Sequence, residues 1–189
     1  MTTVQLEQKE ALYQEVFQRI DALLEGQNDW ISAMATVACE LQQAFDYYHW
    51  TGFYRAVSDD LLLVGPYQGG HGCLEISFDR GVCGAAARTR ETQLVPDVHA
   101  FPGHIACSSS TLSEIVVPVI TPKDRLLAVL DVDSDDPDAF DAVLVRRLAT
   151  VRSPWSSRGG APGAAALARA RAAGARPGGR PRSPGHRRS

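Results

Sequence analysis

The composition of this 189-residue chain is that of a globular protein, with 44% hydrophobic residues and no apolar run near the ~20 residues that a transmembrane helix requires. The charge is uneven, because residues 1–151 carry ten basic and 22 acidic side chains, whereas the remainder carries nine arginines and no acid. A body with a formal charge of −12 argues against a nucleic-acid-binding surface.

Two amphipathic helices are predicted at the start of the chain. Apolar residues recur at helical spacing over residues 4–25 and again over residues 28–46. Gly26 is a suitable end for the first helix and Asn28 a suitable N-cap for the second. Cys39 falls inside the second helix, where we expect a buried and unreactive thiol.

Six short β-type runs follow, separated by Gly, Pro and Asp. They are HWTGFYRAV, DLLLVGPYQ, CLEISF, TQLVPDV, SEIVVPVIT and RLLAVLDVDS. A short helix is predicted at GVCGAAARTRE, with Cys83 in its first turn, where backbone N–H groups favour a thiolate. A last helix is predicted to begin near Phe140, and strands with flanking helices in this order predict an α+β fold.

The last two strands are predicted to form a hairpin, because Pro122 lies at the natural first corner of a turn. A two-residue loop pairs Glu114 with Asp131, and a four-residue loop pairs it with Asp133. Either register gathers the three carboxyls on one side of the sheet, next to Val116, Leu127 and Val129. Repulsion and desolvation there should raise at least one pKa and create a general acid, although a solvated strand end or a cation site is the alternative.

Three cysteines lie in Gly- and Pro-rich connections within one 35-residue stretch, at positions 73, 83 and 107. The N-terminus lacks the basic start and apolar core of an export signal, so we expect a reducing cytoplasm, where accessible thiols serve chemistry. Cys107 precedes Glu114 by seven residues. A thiol and a proton donor would therefore meet over one cavity, which suits thiolate attack on a polarised S=O group.

Residues 152–189 form a basic, low-complexity tail rich in Ala, Gly, Pro and Arg. This segment has too few large apolar residues to build a core, so we expect it to be disordered. A reading-frame shift in a GC-rich gene would yield the same composition, and we favour that origin over a natural basic extension. One domain, residues 1–151, is expected to hold the chemistry.

The motifs ETQLVPDVHAFPGHIAC, SEIVVPV and AVLDVDS, together with DRGVCGAAA, resemble those of the free methionine-(R)-sulfoxide reductases, from about Gln5 to Leu148. The resemblance implies a GAF-like catalytic domain with a six-stranded antiparallel sheet. It also implies that Cys107 is the attacking thiol, that Cys73 is its disulfide partner, and that Cys83 is the third thiol of the family. The helix-start argument favours Cys83 as the more acidic thiol, and we follow the resemblance.

The same resemblance assigns the remaining site residues. Glu114, Asp131 and Asp133 correspond to the carboxyls that hold and protonate the sulfoxide and engage its amino group. Trp50 and Tyr54 correspond to the aromatic wall around the substrate methyl. The resemblance further implies free methionine-(R)-sulfoxide as substrate, thioredoxin as reductant, no metal or organic cofactor, and a homodimer.

Two other interpretations were weighed. A zinc site would recruit His71, His99 or His104 with the cysteines, but the chain has no CxxC or HxxxH spacing. A non-catalytic GAF module that senses a small molecule or a redox change would use the same fold. The cysteine triplet argues against simple binding, and turnover would separate the sensor from the enzyme.

Overall fold

The structure, a computed structural model, describes residues 3–105 and 107–150. The predictions for the tail beyond residue 151 lie outside the described residues. In the described part of the chain, no helix combines the length and the hydrophobicity needed to span a bilayer.

The element order follows the predicted order of helices and strands. The elements are α1 (Thr3–Leu24), α2 (Trp30–Ala44), β1 (Trp50–Ala56), β2 (Leu61–Gly69), β3 (Glu75–Ser77), α3 (Gly81–Thr89), β4 (Gln93–Val95), a 3-10 turn (Val98–Ala100), β5 (Ser113–Ile120), β6 (Leu126–Ser134) and α4 (Ala142–Thr150). The six strands form one sheet in the order β3-β2-β1-β6-β5-β4, and every neighbouring pair is antiparallel. The predicted α+β fold with a six-stranded antiparallel sheet is confirmed.

The sheet separates two apolar cores. One face packs against α1, α2 and α4, with Phe53, Ile115 and Leu130 among its fully buried side chains. The opposite face packs against α3 and the connecting loops, with Val116 and Val129 inside. Because side chains alternate along a strand, the residue two positions before Val116 on β5 and those two and four positions after Val129 on β6 share this second face. The face beneath α3 is therefore where the acidic side chains of both strands are positioned.

The start of α2 differs from the prediction by one residue. Asp29, not Asn28, is the N-cap, since its Oδ1 accepts a hydrogen bond of 2.7 Å from the Ser32 N–H. Both residue types cap helices well, so composition alone does not select between neighbours. Gly26 follows the end of α1 with φ of 74°, a left-handed conformation that glycine adopts without strain. Cys39 is half-buried rather than buried, which corrects the expectation for that thiol.

The β5–β6 hairpin takes the second of the two predicted registers, with Glu114 paired to Asp133 and Val116 paired to Asp131. Its turn is closed by the Thr121 N–H, which donates to the Arg125 carbonyl at 2.9 Å. A register shift near the turn places an extra residue, Leu127, between the paired positions of β6. Leu127 consequently belongs to the core on the α1 side, whereas the prediction had placed it on the acidic face.

Candidate active site

Two of the loop cysteines are bonded to each other. A disulfide joins Cys73 to Cys107 across 34 residues of sequence, with the two Cα atoms 5.3 Å apart. Cys73 lies just before β3, and Cys107 lies in the connection that leads to β5. This is the pair that the family resemblance implied. Both residues are half-buried.

The three carboxyls lie side by side on the α3 face of the sheet. Glu114 and Asp131 are 6% and 5% exposed, and Asp133 is partly buried at the strand end. Antiparallel pairing sets their spacing, since Glu114 lies directly opposite Asp133 and Asp131 is two residues away on the same strand. Among the described residues, no cationic group is a neighbour that shifts their pKa values.

Burial without a cation determines the protonation of this cluster. Burial raises the pKa of Glu114 well above its usual value, and the neighbouring Asp131 and Asp133 raise it further. Burial likewise raises the pKa of Asp133, with contributions from Asp131 and Asp135. Burial raises the pKa of Asp131 to about 7, while hydrogen bonds from Cys83 and Glu114 oppose that rise. Burial and mutual repulsion therefore favour a protonated carboxyl in this cluster, and the three groups titrate together.

Asp131 also has an unused acceptor. Its Oδ1 is buried and has no hydrogen-bond partner in the described part of the chain. Buried carboxylate oxygens are normally paired, so this atom is available to a donor from a bound molecule.

Cys83 does not behave as its position at a helix start suggested. Its side chain is 3% exposed in the core beneath α3, and its Sγ lies 3.9 Å from Glu114 Oε1. Burial raises the pKa of this thiol well above its usual value, and electrostatic interactions with Asp131 and Glu114 raise it further. The prediction of a lowered pKa is therefore wrong, because desolvation and two nearby acids outweigh the N–H groups of the first helical turn.

A small cavity brings most of the predicted site residues together. Its walls include five of them, namely Cys83, Cys107, Glu114, Asp131 and Asp133, with Ile76, Gly81, Val82, His104, Ile105, Ser108 and Thr111 completing the lining. The volume is about 30 Å³, far below the roughly 300 Å³ or more of a typical small-molecule site. In the disulfide-bonded state the thiol position and the carboxyls therefore face only a small space.

The predicted aromatic residues, Trp50 and Tyr54, are not among the described residues that line the cavity. Trp50 stacks on Tyr54 and Tyr67 at centroid distances of 5.5 and 5.4 Å. A Cβ at Gly52 would lie 2.3 Å from the Tyr67 Cβ, so only glycine permits this stack. Burial raises the pKa of Tyr54, and Asp131 is the next largest cause, which shows that the ring lies close to the acids.

Sequence reasoning missed a polar chain that reaches the cavity from outside. Thr111 lines the cavity and its Oγ1 lies 3.3 Å from His49 Nε2. The ring Nδ1 of His49 is 3.0 Å from Asp135 Oδ1. The backbone N–H of His49 donates to the backbone carbonyl of Asp133. The histidine precedes β1 and the threonine precedes β5, so no spacing rule links them. These strand ends are brought together because β1 and β5 pair with opposite sides of β6, with Trp50 opposite Asp133 and Ser113 opposite Ser134.

Three side chains could ligate a metal by distance. The ligand atoms of Cys83, Glu114 and Asp131 lie within 4.8 Å of one another. Metal binding requires these ligands to lose their protons, and the raised pKa values of the thiol and of Glu114 oppose that loss. The histidines of the zinc interpretation, His71, His99 and His104, are not part of this group of described residues.

Comparison with known proteins agrees with this architecture. A family model described as a GAF domain matches residues 29–151. GAF domain-containing protein A of Dictyostelium discoideum is 42% identical over 135 residues, covering 71% of this chain and 84% of that protein. Free methionine-R-sulfoxide reductase of Saccharomyces cerevisiae is 40% identical over 141 residues, covering 71% of this chain and 78% of that protein.

A solved structure extends the comparison to three dimensions. Free methionine-R-sulfoxide reductase from Neisseria meningitidis, in complex with its substrate, superposes with a TM-score of 0.74 at 38% identity. The match covers 86% of this chain and 93% of the Neisseria meningitidis chain. The chain therefore belongs to the GAF-domain family and, within it, to the free methionine-R-sulfoxide reductases.

Proposed function

We propose that this protein reduces free L-methionine-(R)-sulfoxide to L-methionine, with Cys107 as the nucleophile. The observation that carries the proposal is the cavity that places the Cys107 sulfur against carboxyls whose pKa values are raised by burial. A thiol and a protonated acid facing one space are the two groups that sulfoxide reduction requires. Relatives named for this activity support the assignment.

Substrate binding is assigned to the acidic and aromatic residues. The unpaired Oδ1 of Asp131 accepts a hydrogen bond from the substrate ammonium group. Trp50 and Tyr54 provide the apolar contact for the methyl group once the Cys73–Cys107 bond is open and the space has enlarged. A peptide-linked methionine sulfoxide lacks the free ammonium group, so preference for the free amino acid follows.

The chemistry balances with two protein thiols and one external dithiol. The Cys107 thiolate attacks the sulfoxide sulfur and forms an S–S bond to it, while protons delivered through Glu114 or Asp133 let the S–O bond break and the oxygen leave as water. A water molecule then attacks the Cys107 sulfur, the bond to the substrate sulfur breaks, methionine leaves, and the acid recovers a proton while Cys107 becomes a sulfenic acid. The Cys73 thiol then attacks the Cys107 sulfur, expelling water and forming the disulfide. A thioredoxin-type dithiol supplies the two electrons that reopen it, and the cycle uses no metal or organic cofactor.

Cys83 has a supporting part in this scheme. Because its thiol is buried and its pKa is raised, it remains protonated and serves as a hydrogen-bond partner of Glu114 and Asp131. Such a donor helps to fix which carboxyl carries the proton. Action in a reducing cytoplasm belongs to this proposal, and the family resemblance adds assembly as a homodimer.

The test is turnover on defined substrates. With thioredoxin, its reductase and NADPH, the protein should reduce the free R epimer and leave the S epimer and an N-acetylated, peptide-like sulfoxide nearly untouched. Oxidation of NADPH measures the rate, and dithiothreitol with direct assay of methionine provides a second reductant. A folded, reduced sample that binds the R epimer without turning it over with either reductant would favour the sensor.

A further inference from the structure

The surface beside the disulfide carries an unusually exposed apolar side chain. Leu74, which directly follows Cys73, is 77% exposed, whereas the next most exposed large apolar residue in the described part of the chain, Leu23, is 51% exposed. A leucine left in water forgoes the free energy of burial, and a partner that covers it recovers that energy. Single exposed leucines are common on protein surfaces, so the position of this one is what matters.

The backbone holds this leucine in place. The Leu74 carbonyl accepts a hydrogen bond of 3.0 Å from the Val64 N–H on β2, and β3 begins at the next residue. Four residues earlier, the Gly70 carbonyl accepts a hydrogen bond of 3.1 Å from the Trp50 indole. The segment is therefore anchored at both ends. Its exposure is a fixed feature of this sheet edge.

The residues that lead to Cys73 are exposed on the surface. Gly69, Gly70 and His71 are exposed, and a Cβ built at Gly70 would meet no atom within 4 Å. Leu74 is therefore the large apolar side chain of an otherwise glycine-rich and polar surface segment. Transient redox complexes have small interfaces in which a few anchoring side chains carry most of the binding energy.

The two sulfurs differ in what surrounds them. Of the bonded pair, only Cys107 is among the described residues that line the cavity, whose volume is about 30 Å³. Cys73 lies outside that lining and next to Leu74 in the chain. A protein reductant held at Leu74 is therefore expected to attack the Cys73 sulfur from outside the cavity.

We propose that Leu74 is the docking contact for a thioredoxin-type dithiol protein, and that this reductant attacks Cys73. The inference rests on the proposed function, because it concerns how the disulfide of that cycle is reopened. The reductant thiolate bonds to the Cys73 sulfur, the Cys73–Cys107 bond breaks, and Cys107 leaves as a thiolate beside the substrate cavity. The second reductant thiol then attacks the mixed disulfide, releases Cys73 and leaves the reductant oxidised. Two electrons are transferred, and solvent supplies the protons that the two released thiolates take up.

The chain provides a matched control for the docking residue. Leu94 is also exposed, at 42%, and lies in β4 at the opposite edge of the sheet from β3. In the full-length protein, Leu74→Ser should raise the KM for thioredoxin about tenfold, the effect of losing one anchoring side chain at an interface. Turnover with dithiothreitol and the KM for methionine sulfoxide should not change. Leu94→Ser should leave all three quantities unchanged.

Mixed-disulfide trapping tests the sulfur that is attacked. A thioredoxin whose second active-site cysteine is serine should stay bonded to Cys73, and peptide mapping by mass spectrometry identifies the bond. A bond to Cys107, or a thioredoxin KM that Leu74→Ser leaves unchanged, overturns the proposal. Equal loss of thioredoxin and dithiothreitol activity in Leu74→Ser also overturns it, because docking affects only the protein reductant.

The same measurements keep this proposal separate from the proposed function. Absence of turnover with dithiothreitol in the unmodified protein contradicts the reductase activity itself. Turnover with dithiothreitol but none with thioredoxin preserves the activity and rejects the docking surface.

Discussion

Cys107 lines the cavity and Cys73 does not, among the described residues. Variants that lack one or the other thiol should therefore stop the reaction at different steps. Cys107→Ser should abolish methionine formation even in a single turnover, since it removes the nucleophile. Cys73→Ser should release about one methionine per chain and then stop with a sulfenic acid on Cys107. Quantifying methionine from pre-reduced protein, with a sulfenic-acid probe, measures both outcomes.

Cys39→Ser is the matched control for these variants, because that half-buried thiol lies on α2, away from the cavity lining. It should behave as the unmodified protein. The opposite pattern, in which Cys83→Ser loses the first turnover and Cys107→Ser retains it, would assign the attack to Cys83.

The acidic cluster predicts opposite pH effects on rate and on binding. The proton donor acts in its protonated form. The single-turnover rate constant at saturating sulfoxide should therefore fall as pH rises through the raised pKa of Glu114 or Asp133. Asp131 binds the ammonium group only when ionised, so the KM should rise as pH falls below about 7. Pre-reduced protein keeps the reductant's own pH dependence out of the measurement.

Substitutions separate these two roles. Glu114→Gln or Asp133→Asn should lower kcat on the order of 10², whereas Asp131→Asn should chiefly raise KM and remove its dependence on pH near 7. Asp59→Asn, an exposed acid of the β1–β2 turn, is the control. Near-normal kcat in both donor variants would leave the cluster without a catalytic role.

Residue chemistry was predictable from sequence where a short-range rule applied. The two-residue period of strands required Glu114, Asp131 and Asp133 to share a face under either hairpin loop. The pKa shift of Cys83 was not predictable in this way, because the direction of that shift depends on burial beneath α3 and on the nearby Asp131 and Glu114. Helix position describes one contribution to that pKa, and tertiary packing supplies the larger ones.

Helix α3 packs closely against the end of β3 and the residue that follows it. A Cβ at Gly84 would lie 2.5 Å from the Ser77 carbonyl oxygen and 2.9 Å from that of Phe78, and neither backbone atom can move aside cheaply. Gly84→Ala should therefore lower the free energy of unfolding by about 1–3 kcal/mol, as overpacked sites do. It should also reduce turnover, because the displaced helix carries Cys83.

Gly70→Ala is the comparison, since a Cβ there meets nothing within 4 Å. Its unfolding free energy should lie within about 0.5 kcal/mol of the parent value, as for most surface changes. Urea denaturation of the reduced proteins measures both. Equal stability of the two variants would mean that α3 has freedom to shift.

Element types were predictable because the hydrophobic period changes from helical to alternating near residue 49. Details that depend on one hydrogen bond were less so. The α2 cap is Asp29 rather than its neighbour, and the extra residue in β6 reverses the direction of Leu127. A bulge has no signature in a uniformly apolar strand, since each alternative buries a hydrophobic side chain.

At the scale of the whole molecule, the charge division near residue 151 leads to a prediction about the tail. Every site residue precedes that point, and residues 152–189 contain nine arginines without a large apolar cluster. Brief trypsin treatment should remove this segment while the folded domain resists cleavage. The trimmed protein should retain its turnover and its unfolding midpoint.

A chain that ends at residue 151 by a stop codon provides the matched comparison for that experiment. Resequencing the gene across codons 140–155 addresses the proposed frame shift directly. Resistance of the tail to trypsin, or loss of the fold on its removal, would show that the extension belongs to the working protein.

The disulfide also acts as a chain constraint. Its 34-residue separation encloses β3, α3 and β4 in one covalent ring, and closing a ring of this size in the unfolded chain is worth about 3–4 kcal/mol in the loop-entropy model. Each catalytic cycle would then alternate between a cross-linked, more stable molecule and an open, less stable one. If the proposed cycle operates, a shortage of reductant would leave the protein in its disulfide-bonded form. That form should have the larger free energy of unfolding and should therefore resist unfolding and proteolysis longer.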